Sequence, residues 1–473
     1  MTSPKLSLSP VHGVREKRYT SSSTSNIKVR VDGSLCQVKN ISDTGAAFWS
    51  EIDLPESKES VFALAISDNA PLNLKGRIIW KRAEEGGFLY GFHFNHVYLP
   101  EGFLEAIDKV DLIKEGLQQG LSLYIQVGSD FRILTYEIKY FLGTTKTALD
   151  GLESEILSES ESTRNSYKEV ILAKMEPDFV SRLKDYSRKL DQLFSQVTDR
   201  DLRKQYIAFF RAEVGSYYTQ NPFIGRALRK PRGYAGDYEM MNQIYRDSFE
   251  GNSLFEMMMH RYGIHESSSL SVKFRKKYLA DKITNLSQNK SEFTVASIAS
   301  GPAQEIIQFL DQVDPDDSGR YNFVLVDQDI EALLNSKRNI NEKIIGRNLK
   351  CQAHFLPIAV KDIIENTTEA KMLTELRFDL IYTAGLYDYL TQPVAQILTH
   401  QLSLLVKSQG HLIIGNFHPN NPTKTISELV ADWRLIHRSR DEMIQLTKMV
   451  SYQDYVLNID ELEIDWFLEV KVN

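Results

Sequence analysis

Residues 294–305 read TVASIASGPAQE, and the rest of the chain is organised around them. Val295, Ile298 and Ala299 supply the apolar run of a buried strand. Ser300, Gly301, Pro302 and Ala303 make a tight turn that keeps side-chain bulk away from the space above the strand end, and residues 304–310, QEIIQFL, open an amphipathic helix. Strand, small-residue turn and helix together form the crevice unit of an open α/β sheet, where ligands sit outside the carboxyl ends of the strands. A loop built for nucleotide phosphates offers bare backbone N–H groups and often a lysine. Glu305 puts a carboxylate at the helix start instead, which suits a cationic ligand.

The next strand, residues 321–326 (YNFVLV), ends in Asp327, a position from which a carboxylate accepts both hydroxyls of a ribose. With no GxGxxG and no lysine, a dinucleotide fits less well than S-adenosylmethionine. In this turn, in Asp327 and in five further strand signals, the chain resembles the class I S-adenosylmethionine-dependent methyltransferases, whose first motif is usually a more glycine-rich E/DxGxGxG. The resemblance implies a Rossmann-like C-terminal domain over residues 290–473. Its seven strands would continue at residues 351–356, 378–382, 411–415, 455–459 and 464–472, the last two as an antiparallel edge pair. It also implies a cofactor site, with Ser300, Gly301 and Glu305 beside the methionine part and Asp327, next to Gln328, on the ribose. Leu356 and Pro357 would lie near the adenine, and Thr383, Ala384 and Gly385 would line the cleft.

Longer motifs narrow the resemblance. PRGYAGDYEMM, AGLYDYL, GNF and DWRLIHR, spread between Asn221 and the C-terminus, are similar to a bacterial group of extracellular factor, 3-hydroxypalmitic acid methyl ester biosynthesis methyltransferases. That resemblance implies methyl transfer to the carboxylate of a hydroxy fatty acid or related acyl compound. Transfer from a sulfonium is an in-line displacement governed by alignment and by desolvation of the acceptor. A carboxylate acceptor is already ionised and needs only cations and hydroxyls to orient it; Arg229, Arg232, Arg438, Tyr234 and Tyr387 are the groups available. A hydroxyl or amine acceptor needs a general base, for which Asp388 or His418 could serve. Asp388 could equally cap the helix that follows it. Asp432 to Arg438 reads as a helix over the sheet, with Trp433 and Ile436 on one face.

At 473 residues the chain has room for two or three domains, and its 42% apolar and 25% charged content is that of a globular protein. A net charge of -7 with no polybasic run argues against nucleic acid as a partner. Cys36 and Cys351 are too few for a disulfide framework or a metal site, and neither a signal peptide nor a membrane span is expected, so the expected compartment is the cytoplasm. Residues 1–13 read as a mobile start. Six short alternating strands then follow between Ile27 and Phe94, separated by turn formers, and read as a small β-barrel within residues 14–110. Asn40-Ile41-Ser42-Asp43-Thr44-Gly45, with the GRIIW and YGFHF strands, resembles the PilZ family of cyclic di-GMP receptors. In that family an RxxxR in the preceding linker clamps the ligand. The closest register here is Lys17 to Ser21, with Arg15 and Arg18 at a shorter spacing, so Arg15, Arg18, Asn40, Ser42 and Gly45 are the candidate ligand residues. A barrel that serves instead for dimerisation is the structural alternative.

Between the barrel and residue 289 helical periodicity takes over, with Leu112, Leu117, Leu121 and Tyr124 on one face and Ile171, Met175, Phe179 and Leu183 on another. The plain reading of this region is a linker or a homodimerisation platform. Residues 221–245 stand apart: their arginines, tyrosines and glycines suggest a lid over a small-molecule acceptor. The expected architecture is therefore a barrel, a helical middle and an α/β catalytic domain. The competing class is a non-catalytic signalling protein that keeps the methyltransferase fold only for binding.

Overall fold

The computed structural model describes residues 19–20, 27–42, 44–55, 59–66, 71–95, 113, 116–118 and 126–473. The chain divides into two compact units, residues 1–122 and 123–473. Among the sequence expectations, Arg15, Arg18, Asp43, Leu112, Leu121 and Tyr124 lie outside the described residues.

The first unit is a closed six-stranded antiparallel barrel. Strands β2 (Ile27–Val31), β3 (Ser34–Ser42), β4 (Gly45–Ser50), β5 (Ser60–Ile66), β6 (Leu72–Glu84) and β7 (Gly87–Phe94) run in the order β3-β2-β5-β6-β7-β4, and β4 pairs back onto β3. The two-residue β1 (Tyr19–Thr20) adds to β3 opposite Asn40 and Ile41. Alternation decides which side chains turn inward, so Val29, Val31, Phe48, Phe62, Tyr90 and Phe92 fill the interior and Lys28 and Arg30 do not. Gly45 opens β4 because a Cβ there would stand 2.4 Å from the Phe92 carbonyl oxygen. Closure removes the free edges that an open sheet would leave.

The second unit holds a seven-stranded sheet of order β10-β9-β8-β11-β12-β14-β13, the arrangement that the methyltransferase resemblance implies. Its strands are β8 (Phe293–Ile298), β9 (Tyr321–Val326), β10 (Gln352–Leu356), β11 (Phe378–Ala384), β12 (Val406–Phe417), β13 (Tyr452–Ile459) and β14 (Asp465–Val472). β8 to β12 are mutually parallel, while β14 runs antiparallel to β12 and β13 antiparallel to β14. The chain lays β9 and β10 to one side of β8 and then returns to place β11 on the other, so the order switches between β8 and β11, where an open sheet presents its binding crevice. Central strands read as near-continuous apolar runs because both faces are covered.

The helical middle region is part of this unit. Its core, with Phe210, Tyr218, Met258, Met259 and Tyr262 fully or almost fully buried, also takes in Ile426, Leu429, Val430 and Ala431 from the helix Thr423–Ala431. It therefore packs on a segment that follows β12 and roofs the carboxyl end of the sheet; the plain linker reading misses this role.

Two local expectations are corrected. Ala299 is not strand: its φ of 54° is left-handed, and β8 stops at Ile298. Residues 432–438 are not helical. Asp432, with φ 48°, ends the preceding helix, and the segment then runs without regular structure, its amides donating to the Asp388 carbonyl from Ile436 and to the Phe417 carbonyl from Arg438. Trp433 packs against the helical core while Ile436 is 38% exposed, so the two share no face.

Candidate active site

The turn after β8 is held in an unusual backbone conformation. Ala299, Gly301 and Ala303 have φ values of 54°, 51° and 49°, a left-handed geometry that costs an alanine roughly 1–2 kcal/mol at each position. Such strain persists only where surrounding bonds fix it. Here the Ser300 amide donates to the carbonyl of Val326 at 3.1 Å, and the Gly301 amide donates to Asp327 Oδ2 at 2.8 Å. Asp327 Oδ1 accepts the Asp329 amide at 2.9 Å. The carboxylate thus fastens the tip of β9 to the turn, with the Gln328 amide also acting on it, and these three donors do not fill the four acceptor positions of its two oxygens. Burial and the neighbouring Asp329 push the Asp327 carboxyl above its ordinary range, partly offset by these amides.

Above this turn lies a cavity of about 370 Å³, within the range of small-molecule sites. Ser300, Gly301, Glu305, Asp327 and Gln328 line one side, and Ala384 and Gly385 from the end of β11 line another. These seven cofactor candidates are brought together. The other three are not: Ile358 and Val360 reach the wall where Leu356 and Pro357 were expected, because the β10 end turns its backbone to the Asp327 amide, and Thr383 is buried inside the sheet. Among the described residues, the Ser300 hydroxyl is buried without a hydrogen-bond partner, and the position of a Cβ on Gly301 meets nothing within 4 Å. An orphaned hydroxyl, a bare left-handed glycine and a buried acceptor carboxylate make a polar cradle that a nucleoside with hydroxyls and a cationic tail fits. Glu305, whose carboxyl burial raises, accepts the Tyr382 hydroxyl at 2.7 Å on the cavity's inner wall.

A second, mostly apolar cavity of about 100 Å³ adjoins the first. Phe223, Met240, Ile244, Val272, Ile426 and Val430 supply its wall, with Glu266, Arg275 and Asp388 as the charged groups. Gly236, Met241, Arg275, Gly385 and Tyr389 border both cavities, so the two meet beside the end of β11.

The segment 221–245 divides into the helix Pro222–Arg229, a loop, and the helix Tyr238–Arg246. Asn221 and Asp237 cap the two helices, and Arg226 holds Asp237 through Nε at 2.8 and 2.9 Å. The loop crosses the junction of the cavities as a strap. Arg232 forks onto Asp329, with Nε 2.9 Å from Oδ2; Tyr234 lines the larger cavity; and Tyr389 donates to the Ala235 carbonyl at 2.8 Å. Gly236 is required where the strap passes Trp433, since a Cβ there would lie 2.6 Å from the indole.

Of the catalytic candidates, Asp388 and Tyr234 face a cavity and three do not. Tyr387 is fully buried and its hydroxyl pairs with Thr399 at 3.0 Å, on the far side of the sheet end. Arg438, 1% exposed, spends its guanidinium on the Tyr387 and Leu390 carbonyls, Asn416 and Gln392. Arg232 is committed to Asp329. His418 stacks edge-on against Trp466, with centroids 5.0 Å apart, and borders neither of these two cavities. Asp388 caps no helix; its Oδ1 accepts the Phe417 amide at 2.8 Å, and burial pushes its carboxyl up to about 6. Arg275, which the sequence reading missed, sits within SVKFRKKYLADK, a run indistinguishable from a solvated basic helix face. In the barrel, Asn40 and Ser42 lie on β3 and Gly45 opposite Ser42, whose hydroxyl donates to the Gly45 carbonyl at 3.3 Å.

Comparisons with known proteins agree with the first unit and add little to the second. Residues 14–103 match the PilZ domain family, so the chain carries a PilZ domain near its N-terminus. No curated protein matches the chain. Among solved structures, a possible exported protein from Bordetella parapertussis is similar over 63% of this chain and 96% of its own, at 14% identity and a TM-score of 0.43. The CurJ carbon methyltransferase is similar over 65% and 71%, at 12% identity and a TM-score of 0.37. Magnesium protoporphyrin IX methyltransferase from Synechocystis PCC 6803, solved with bound S-adenosylhomocysteine, is similar over 43% and 84%, at 11% identity and a TM-score of 0.32.

Proposed function

We propose that the second unit is an S-adenosylmethionine-dependent methyltransferase whose acceptor is a small molecule with an apolar body, in the first instance an acyl compound methylated on its carboxylate. The observation that carries this reading is the meeting of a polar, nucleoside-sized cavity over Ser300, Gly301 and Asp327 with a mostly apolar one beside Gly385. When bound, the cofactor supplies an electrophilic methyl on a cationic sulfur. Asp327 would accept the ribose hydroxyls, and Glu305 would provide negative charge for the cationic end. The strap from Lys230 to Asp237 would exclude water from the junction, which strengthens each of these interactions. The test is transfer of labelled methyl from S-adenosylmethionine to a medium-chain or hydroxylated fatty acid; a protein that binds the cofactor yet labels no carboxylic acid rules out the acyl acceptor.

Asp388 supports a second reading, in which a hydroxyl or amine is the acceptor and this residue takes its proton. A carboxyl raised from 3.8 to about 6 is poised near neutral pH, but it is also a burden on the fold. Well below pH 4 the folded and unfolded chains are both protonated and nothing is lost. From about pH 4 to 6 the unfolded chain ionises while the folded one stays protonated, and above about 6 the folded protein holds a buried anion, so the cost builds across that window to roughly 3 kcal/mol. Asp388→Asn keeps an acceptor for the Phe417 amide, so it is expected to raise the melting temperature at pH 7.5 and to leave it nearly unchanged at about pH 3. On the acyl reading the same variant keeps kcat/KM within about threefold; on the hydroxyl or amine reading it loses roughly 100-fold or more and its pH profile flattens.

For the first unit the reading is a regulatory receptor for cyclic di-GMP, supported by the PilZ match and by Asn40, Ser42 and Gly45 around one hairpin. Titration of cyclic di-GMP into the full chain is expected to give saturable binding that Arg18→Ala weakens. Equal affinity in both proteins removes the arginine from the site, and no binding leaves the barrel as a dimerisation or interaction module.

A further inference from the structure

Arg275 lies on the helix Ser267–Leu286 and borders both cavities. Its guanidinium stands 3.1 Å from where a Cβ on Gly385 would be, and its Nη2 lies 3.8 Å from the Met241 sulfur. It also contacts the Tyr245 hydroxyl. Arg226, Arg232, Arg246 and Arg261, which hold the neighbouring helices and strap, all grip a carboxylate. Arg275 forms no such ion pair among the described residues, although Glu305, Asp388 and Asp465 all lie close enough to feel its charge. A guanidinium carries five N–H donors in a planar fork that matches a carboxylate, and Arg275, half-buried at the junction, meets only the Met241 sulfur and the Tyr245 hydroxyl among the described residues, which leaves the fork available to a ligand.

We infer that Arg275 is the carboxylate-binding residue of this site. The inference rests on the methyltransferase reading and adds to it the anchor point of a ligand. Two ligands could present that group at the junction: the amino-acid end of the cofactor and an acyl acceptor. The left-handed Gly385, φ 94°, keeps the space in front of the fork open, and any side chain there would press on the guanidinium.

Two matched pairs of probes separate the sources. S-adenosylhomocysteine carries the carboxylate and methylthioadenosine is a nucleoside without it; decanoate carries it and decanol does not. Calorimetry on the wild type, Arg275→Gln and Arg275→Lys, using protein saturated with S-adenosylhomocysteine for the second pair, reads the preference for acid over its neutral counterpart within one protein. That ratio does not depend on how stable the variant is. Arg275→Gln is expected to lose roughly 10- to 100-fold of the preference in one pair, with part of it restored in Arg275→Lys. Loss in the nucleoside pair assigns the cofactor's carboxylate, and loss in the decyl pair assigns the acceptor's. An unchanged ratio in both pairs overturns the inference while leaving the methyltransferase reading standing. Failure of the wild type to bind either nucleoside overturns both.

Discussion

Asp327→Ala is expected to weaken S-adenosylhomocysteine binding by roughly 100-fold or more, because each hydroxyl bonded to a carboxylate contributes about 1.5–3 kcal/mol and the substitution removes the acceptor for two. The effect has a second origin. Asp327 also receives the Gly301 and Asp329 amides, so its loss releases a turn whose alanines are held in left-handed geometry. Asp327→Asn separates the two, since an amide oxygen can still take one backbone donor while offering the ribose less; its affinity is expected to fall between the wild type and alanine. Calorimetry and thermal melting on the same samples check this. Wild-type affinity in the alanine variant removes the ribose assignment.

Arg438→Ala is expected to be the most damaging single change in the second unit, and through stability rather than substrate handling. The guanidinium is the donor for the carbonyls of Tyr387 and Leu390 and for Asn416 and Gln392, at a point where β12, the 387–389 turn and the 432–438 segment converge. Removing it leaves a large void and several buried acceptors unpaired, together costing about 4 kcal/mol or more. Urea denaturation should show a fall in midpoint with little change in slope. Had Arg438 oriented an acceptor, as its place in DWRLIHR suggested, KM would rise while the midpoint stayed put.

The contrast between Asp327 and Arg438 shows what the chain makes legible. Period and punctuation expose elements: alternating apolar residues bounded by Asp-Gly and Glu-Gly turns mark the barrel, and apolar runs ending in small residues mark β8 and β11, as one ending in an aspartate marks β9. A residue at the tip of such a strand has its location fixed by the element, so the places of Ser300, Gly301, Asp327 and Gly385 around the cavity at the strand ends are legible in the sequence. Residues in extended segments or on helices have no such anchor. Residues 432–438 read as helical because nothing in the string shows that Asp432 turns left-handed, and Arg438 therefore points inward instead of across the cleft. Arg275 is one of three consecutive cations, and only packing determines which of them faces the crevice. The apolar cavity is harder still, since its wall joins Phe223, Val272 and Ile426 from three helices distant in sequence.

A crystal structure of the protein soaked with S-adenosylhomocysteine tests the central claim most directly. The adenosine is expected over Gly301, with both ribose hydroxyls within hydrogen-bonding distance of the Asp327 carboxylate and the sulfur directed toward Gly385 and the apolar cavity. Density for the ligand elsewhere, or a cleft that stays closed around Tyr234 and Asp327 at saturating ligand, would contradict it.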